Sequence, residues 1–163
     1  MDGNPLAALA QKRWAYTLML RLHRTVEWCE RIVRAVTRDR LGAMDLMGLP
    51  AIRVTVSGRR TGTPRTSTLY CVDDGDRILV IGSNWGHSRH PAWSENLCAA
   101  TEVDVRRRRY AGRAAVRLLI GTERDQAWAT ILRQWPNYQI AQDRVPQRPF
   151  RIFELRLRTP FTR

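Results

Sequence analysis

At 163 residues, 44% hydrophobic and 26% charged, the chain has the size and make-up of one globular domain with a real core. No apolar run approaches the roughly 20 residues that span a bilayer. The charged N-terminus has no signal-peptide core, and three scattered cysteines exclude a disulfide framework or a zinc cluster, which fits a reduced, cytoplasmic setting.

The formal net charge is +13, and Lys12 is the single lysine among 28 basic residues. Arginine's planar fork grips phosphate and carboxylate in bidentate fashion. An excess of this size implies a polyanionic partner: nucleic acid, an anionic membrane surface or an acidic cofactor.

Residues from about Leu6 to Arg38 read as one long helix. Leu18, Leu22, Val26, Cys29, Val33 and Val36 share one face, and Arg24, Arg31, Arg34 and Arg38 lie opposite. Such a helix docks on its own domain, rests on anionic lipid or meets a second copy. Gly42, Gly48 and Pro50 break the pattern. Residues 1–48 are therefore set apart as an N-terminal amphipathic helical segment, and 49–163 as the main domain.

Ile52–Val56 and Arg65–Val72 read as strands around the loop Ser57-Gly58-Arg59-Arg60-Thr61-Gly62-Thr63-Pro64-Arg65. Three arginines, two glycines and several hydroxyls offer N–H groups and guanidinium forks to an anion, and a phosphorylated ligand suits them. The alternative is a basic hairpin on a solvated edge. The loop is not a Walker motif, which needs Gly-x-x-x-x-Gly-Lys-Ser/Thr.

Asp73-Asp74-Gly75-Asp76 is a hairpin turn, and Arg77–Ser83 the next strand. Asn84–His90 is a polar loop. Pro91 suits the first position of a short helix through Trp93, Asn96 and Leu97. Val103 and Val105 resume a strand, Arg106–Arg109 form a turn, and Ala111–Ile120 return. Thr122 is the N-cap of a helix running to Gln134, which Trp135-Pro136-Asn137-Tyr138 ends. Phe150–Leu157 is the last strand. This order argues for an α+β fold with a mainly antiparallel sheet or barrel.

Hydrolytic chemistry is poorly represented. Ser83, His87 and Asp73 have no nucleophile-elbow Gly-x-Ser-x-Gly around them, and Gly58 and Gly62 have the wrong spacing for a dinucleotide fingerprint. What remains is a binding constellation. The arginine loop suits phosphate. Ser83, Asn84 and Gly86 end a strand and suit a flat polar ring, with Trp85, Trp93, Trp135 and Tyr138 as aromatic walls. Trp93 is equally well a core residue of its helix.

Read together, four segments resemble the deazaflavin-dependent nitroreductase family. They are Gly58-Arg59-Arg60-Thr61-Gly62-Thr63-Pro64-Arg65, then Ile81-Gly82-Ser83-Asn84-Trp85-Gly86, then His90-Pro91-Ala92-Trp93-Ser94-Glu95-Asn96-Leu97, and last Trp135-Pro136-Asn137-Tyr138-Gln139. They follow in the family's order over about residues 50–157. The resemblance implies a flavin-reductase-like split β-barrel, carrying a long N-terminal helix and peripheral helices. It also implies binding of coenzyme F420, an 8-hydroxy-5-deazaflavin with a phosphodiester and a polyglutamate tail, with FMN as the second choice.

By that resemblance Arg59, Arg60 and Thr61 hold the acidic tail or phosphate. Pro64, Arg65, Ser67, Thr68, Leu69 and Tyr70 run along the deazaflavin. Ile81, Gly82, Ser83 and Asn84 contact its ring system, and Ala92, Trp93 and Asn96 the ribityl chain or phosphate. Tyr138 closes the site near the acceptor. The implied reaction is hydride transfer to a quinone, with nitroaromatics as adventitious acceptors, and Ser83 and Tyr138 polarise the acceptor.

The chain departs from the family's pattern at Thr68, Asn84, Trp85, Ala100-Thr101, Trp135 and Ala141. These departures bear on the acceptor more than on the cofactor. Two other readings stand beside this one. One is a split barrel that binds a cofactor or a lipid-like ligand without turnover. The other is a nucleic-acid binder using Arg106–Arg109, which lacks any recognised RNA motif. Because quinones partition into membranes, the basic N-terminal helix suits docking on the inner face of the cell membrane. The oligomeric state is left open.

Overall fold

A computed structural model describes residues 50–107 and 110–158, together with Trp28, Cys29, Ile32, Val33, Ala35 and Val36. Two compact units divide the chain, Met1–Ala51 and Ile52–Arg163. In the first, the six described positions between 28 and 36 are helical, and Trp28, Ile32 and Val36 are exposed. The rest of the expected helix from Leu6 to Arg38 lies outside the described residues. No helix among the described residues is long and apolar enough to cross a membrane.

The second unit is built on six strands: β1 (Ala51–Ser57), β2 (Pro64–Asp74), β3 (Arg77–Gly82), β4 (Glu102–Arg107), β5 (Tyr110–Leu118) and β6 (Arg151–Leu157). They close into a barrel in the order β1-β2-β3-β6-β5-β4. The β1–β4, β2–β3, β3–β6, β4–β5 and β5–β6 pairs are antiparallel. Three helices accompany it: α1 (Ala92–Cys98), α2 (Gly121–Gln134) and α3 (Asn137–Asp143). The antiparallel barrel with peripheral helices is the architecture the resemblance implies.

Alternation explains the barrel's interior. Ile52, Val54 and Val56, Leu69 and Cys71, Ile78 and Val80, Val103 and Val105, and Phe153 and Leu155 step by two along their strands and meet in one core. The residues between them on β3 and β6 are buried as well: Leu79, Ile81 and Ile152. Helix α2 packs on β2 and β6 and buries Ala127 and Ile131. A strand covered on both faces needs a continuous apolar run, which is why Ile78-Leu79-Val80-Ile81 carries no alternation.

Several local expectations change. Arg106 and Arg107 are not turn residues, since they extend β4 and lie opposite Ala111 and Tyr110. The other two residues of that expected turn, Arg108 and Arg109, lie outside the described residues. Arg107 falls on the inward-facing alternation with Val103 and Val105, and its guanidinium grips Asp73 at 2.5 and 3.0 Å. A paired carboxylate at the barrel's end offsets the cost of burying that charge.

Helix α2 starts at Gly121, with Ile120 at the N-cap, so Thr122 sits inside the first turn instead of capping it. Pro91 is the N-cap of α1, one place before the helix proper. The chain beyond Pro136 is helical as α3, so Tyr138 lies in a first turn and not in a loop.

Candidate functional site

The arginine loop is a tight, defined turn. Gly58 N–H donates to the Thr63 carbonyl at 2.9 Å and Gly62 N–H to the Gly58 carbonyl at 2.7 Å, with Gly62 at φ +68°. The loop is docked on α1. The Arg59 N–H donates to Asn96 Oδ1 at 3.2 Å, and its guanidinium lies 4.0 Å from Glu95. Arg151 holds the other oxygen of Glu95 at 2.8 Å. That hydrogen bond, aided by the charges of Arg151 and Arg59, holds the Glu95 carboxyl below its usual range. Arg59, Arg60, Thr61, Pro64 and Arg65 are all exposed. Arg60 and Arg65 pair with no described acid.

Helix α1 sits on the end of β3. A Cβ added at Gly82 would stand 3.3 Å from the Ser94 Cβ, and Ser94 is fully buried with its hydroxyl donating to the Pro91 carbonyl. Glycine is thus the residue that lets α1 approach the strand. Ala92 is exposed, while the Trp93 ring packs on Phe153 at 6.1 Å, toward the barrel core. Leu69 also belongs to that core, and Ile81 is buried on the outer face. Ser67, Thr68 and Tyr70 are half-buried on β2.

Beyond Gly82 the backbone turns sharply. Ser83 is right-handed, and Asn84, Trp85 and Gly86 follow at φ 45°, 55° and 75°. Left-handed conformations at two non-glycine residues in a row are costly and persist only when the surroundings enforce them. Here Asn84 Nδ2 donates to the Arg89 carbonyl at 2.9 Å, Gly86 N–H to Ser83 and His87 N–H to Asn84. Helix α3 packs against the turn, bringing the Ala141 backbone under Gly86. The Ser83 hydroxyl has no partner among the described residues, whereas its carbonyl accepts from Arg148.

Helix α3 also brings in the aromatic corner. Trp135 lies 5.6 Å from the Tyr70 ring, and its carbonyl accepts from the Tyr138 N–H at 3.1 Å. Its indole N–H is buried without a hydrogen-bond partner among the described residues. Two assemblies result. One joins the arginine loop to Glu95 and Asn96 on α1. The other joins the turn after Ser83 to α3 and its tyrosine, with Tyr70 and Trp135 alongside. Gly82, touching Ser94, links them.

Arg148 is the site residue that the sequence did not flag. It is buried, and it donates to the carbonyls of Ser83, His87 and Gly82. Its place between Pro146 and Pro149 carries no signal, because the groups its guanidinium hydrogen-bonds lie about sixty residues earlier.

Residues 28–154 match the family model described as F420H(2)-dependent quinone reductase. F420H(2)-dependent quinone reductases from two strains of Mycobacterium tuberculosis, CDC 1551 and H37Rv, are each 33% identical over 87 residues, 53% of this chain and 54% of theirs. The chain thus spans about half the length of the curated relatives it matches. Among solved structures, an F420-H2 dependent reductase (FDR-A) superposes with a TM-score of 0.59 at 25% identity, covering 65% of this chain and 93% of its own.

Proposed function

The chain belongs to the F420H(2)-dependent quinone reductase family, and from that premise we propose that it binds coenzyme F420 and reduces a quinone, with nitroaromatics as secondary acceptors. The observation that carries the reading is the arginine loop. It is folded and docked on α1 through Arg59, yet Arg60 and Arg65 are left exposed and unpaired with any described acid. Cations held in place without a counter-charge suit a phosphodiester and an acidic tail. The buried, unpartnered indole N–H of Trp135 gives a spare donor at the other end.

When bound, the reduced deazaflavin supplies the hydride. The chain supplies place and polarity. Arg59, Arg60, Thr61 and Arg65 hold the acidic end. Pro64, Ser67, Thr68, Leu69 and Tyr70 on β2, Ile81 and Gly82 at the end of β3, and Ser83 and Asn84 after it border the ring. Ala92, Trp93 and Asn96 on α1 lie along the linking chain.

The Ser83 hydroxyl, free of other partners among the described residues, donates a hydrogen bond to the acceptor oxygen as negative charge develops there. Tyr138 adds a second donor and delivers the proton. Exclusion of water by the Tyr70–Trp135 pair strengthens both hydrogen bonds.

The first unit extends the proposal. Trp28, Ile32 and Val36 are exposed at a spacing of four along a helical stretch. An apolar stripe on a helical stretch of an arginine-rich sequence suits an anionic leaflet, where a quinone also resides.

The test of the cofactor reading is titration of the protein with oxidised F420, followed by tryptophan quenching, with FMN in parallel. Micromolar or tighter binding of the deazaflavin alone is expected. Binding of FMN alone, or of neither, overturns it, and the second result hands the fold to a non-catalytic binding role.

A further inference from the structure

Arg148 lies outside every motif of the resemblance and is 6% exposed. Its Nη2 donates to the Ser83 carbonyl at 2.7 Å and its Nε to the His87 carbonyl at 2.9 Å. Its Nη1 donates to the Gly82 carbonyl at 3.3 Å and meets His90 Nδ1 at 3.3 Å. The guanidinium lies 4.8 Å over the Phe150 ring. No carboxylate pairs with it among the described residues. Burial, and then the charge of Arg151, lower its pKa from the ordinary value. A buried arginine with no counter-ion is costly, so its hydrogen bonds must carry the compensation. All of them go to the segment from Gly82 to His90.

We propose that Arg148 is the positioning residue of the Ser83 turn: it ties the Gly82, Ser83 and His87 carbonyls to the segment entering β6, presets the left-handed run Asn84-Trp85-Gly86 before any ligand arrives, and fixes the tautomer of His90. As a statement about cofactor binding it rests on the function proposed above. As a statement about the turn it does not.

The tautomer follows from the chemistry of the pair. Arginine has five donors and no acceptor, so a hydrogen bond between Nη1 and His90 Nδ1 requires a lone pair on Nδ1 and leaves the ring proton on Nε2. The neutral form is favoured further by burial and by Arg151 and Arg148, against Glu95 alone on the other side.

The positioning follows from the strain. Two non-glycine residues at positive φ relax once the carbonyls flanking them lose their shared donor. If the competent turn then falls to about a tenth of the population, the apparent Kd of whatever it binds rises about tenfold.

The test uses the full chain carrying R148M or R148K. Before any cofactor is added, 15N spectra of the histidine ring nitrogens report His90, and amide exchange reports Gly86 and His87. In wild-type protein His90 is expected as the Nε2-protonated form, titrating below the ordinary histidine range. In R148M that tautomer preference is lost, the Gly86 and His87 amides exchange faster, and F420 binds about tenfold more weakly at a temperature where circular dichroism shows the variant folded. R148K keeps the charge but cannot span three carbonyls, so it falls between, and it carries the same readouts should R148M not fold.

An unchanged His90 spectrum with unchanged amide exchange overturns the proposal. So does a variant that melts earlier but binds F420 with wild-type affinity per folded molecule, because Arg148 would then be structural only. Failure of the wild-type protein itself to bind F420 overturns the proposed function instead, and the spectra without cofactor still decide on the clamp.

Discussion

Replacing Gly86 with alanine separates two effects that glycine usually confounds. Gly86 has φ +75°, and an added Cβ would stand 2.9 Å from the Ala141 carbonyl oxygen and 3.5 Å from its Cα. Gly75 has φ +66° with nothing within 4 Å of the same atom. Both substitutions incur the left-handed cost of an L residue, about 1 kcal/mol. Only Gly86→Ala also drives a methyl into the backbone of α3, where Ala141 is fully buried and cannot yield as a flexible side chain would. Overpacking of that kind adds about 2 kcal/mol. Gly86→Ala is therefore expected to destabilise by about 3 kcal/mol and Gly75→Ala by about 1 kcal/mol. In a unit of this size those losses lower the thermal midpoint by about 12 °C and 4 °C. Urea unfolding of the two variants and wild type, at equal m-value, measures both. If the two variants lose the same stability within about 0.5 kcal/mol, the packing of α3 on the turn is not what requires glycine.

Other consequences follow from the same geometry. Glu154 is buried on β6 and accepts from Arg117 at 2.9 Å and Arg77 at 3.1 Å, and those bonds outweigh a burial cost that pushes its pKa up, leaving it lowered. A lowered folded pKa stabilises the fold above the ordinary carboxylate range, and the gain is lost as pH falls through the folded value. Glu154→Gln should cost about 2 kcal/mol at pH 7 and progressively less in acid, and a gap that widens toward low pH in parallel denaturation curves would contradict this. Tyr138→Phe and Ser83→Ala should each lower turnover of a quinone by the F420-reduced protein about tenfold or more, with cofactor Kd nearly unchanged. Wild-type rates in the phenylalanine variant would remove the hydroxyl from the reaction. A variant lacking residues 1–45 should lose co-sedimentation with anionic liposomes, and equal partitioning with the full chain would rule out the lipid-docking role.

How much of this was legible in the sequence depended on how local each signal was. Strands β1, β4 and β5 follow from alternation, while of the expected turn Asp73-Asp74-Gly75-Asp76 only Gly75 and Asp76 lie between strands, since Asp73 and Asp74 extend β2 and pair with Ile78 and Arg77. The arginine loop announced itself by composition. Helix α3 did not, because only Ala141 of its seven residues is fully buried, and a one-sided contact of that length leaves no periodic pattern. Arg106 and Arg107 read as a turn because four consecutive arginines look unfit for a strand. The structure resolves this with Asp73, 34 residues away. The clamps of the site are equally distant: Arg59 to Asn96 spans 37 residues and Arg148 to Ser83 spans 65. A pattern reader sees neighbours along the chain, whereas these pairs are neighbours only once the barrel has closed.

The arginine excess divides into two populations, and the division bears on the partner. Arg77, Arg117 and Arg156 converge on Glu154, Arg113 and Arg158 on Glu102, Arg151 and Arg59 on Glu95, and Arg107 on Asp73. These arginines are engaged with acids of their own domain and offer little to a polyanion, except Arg59, which stays exposed and only approaches Glu95 at 4.0 Å. Arg60, Arg65, Arg89, Arg106 and Arg144 pair with no described acid. Two of those five lie on the loop docked against α1, Arg89 follows the Ser83 turn, and the Arg144 side chain lies close to Gly86. A nucleic-acid face would instead present a stripe of uncompensated cations. A compact acidic ligand touching two or three of them predicts a shallow salt dependence, with F420 binding about tenfold weaker at 200 mM than at 50 mM salt. Duplex DNA and RNA should bind weakly and without saturation at the higher salt. F420 affinity that ignores salt would detach the arginine loop from the cofactor's acidic end. Saturable, sequence-selective nucleic-acid binding at 200 mM salt would make the unpaired arginines a nucleic-acid surface after all.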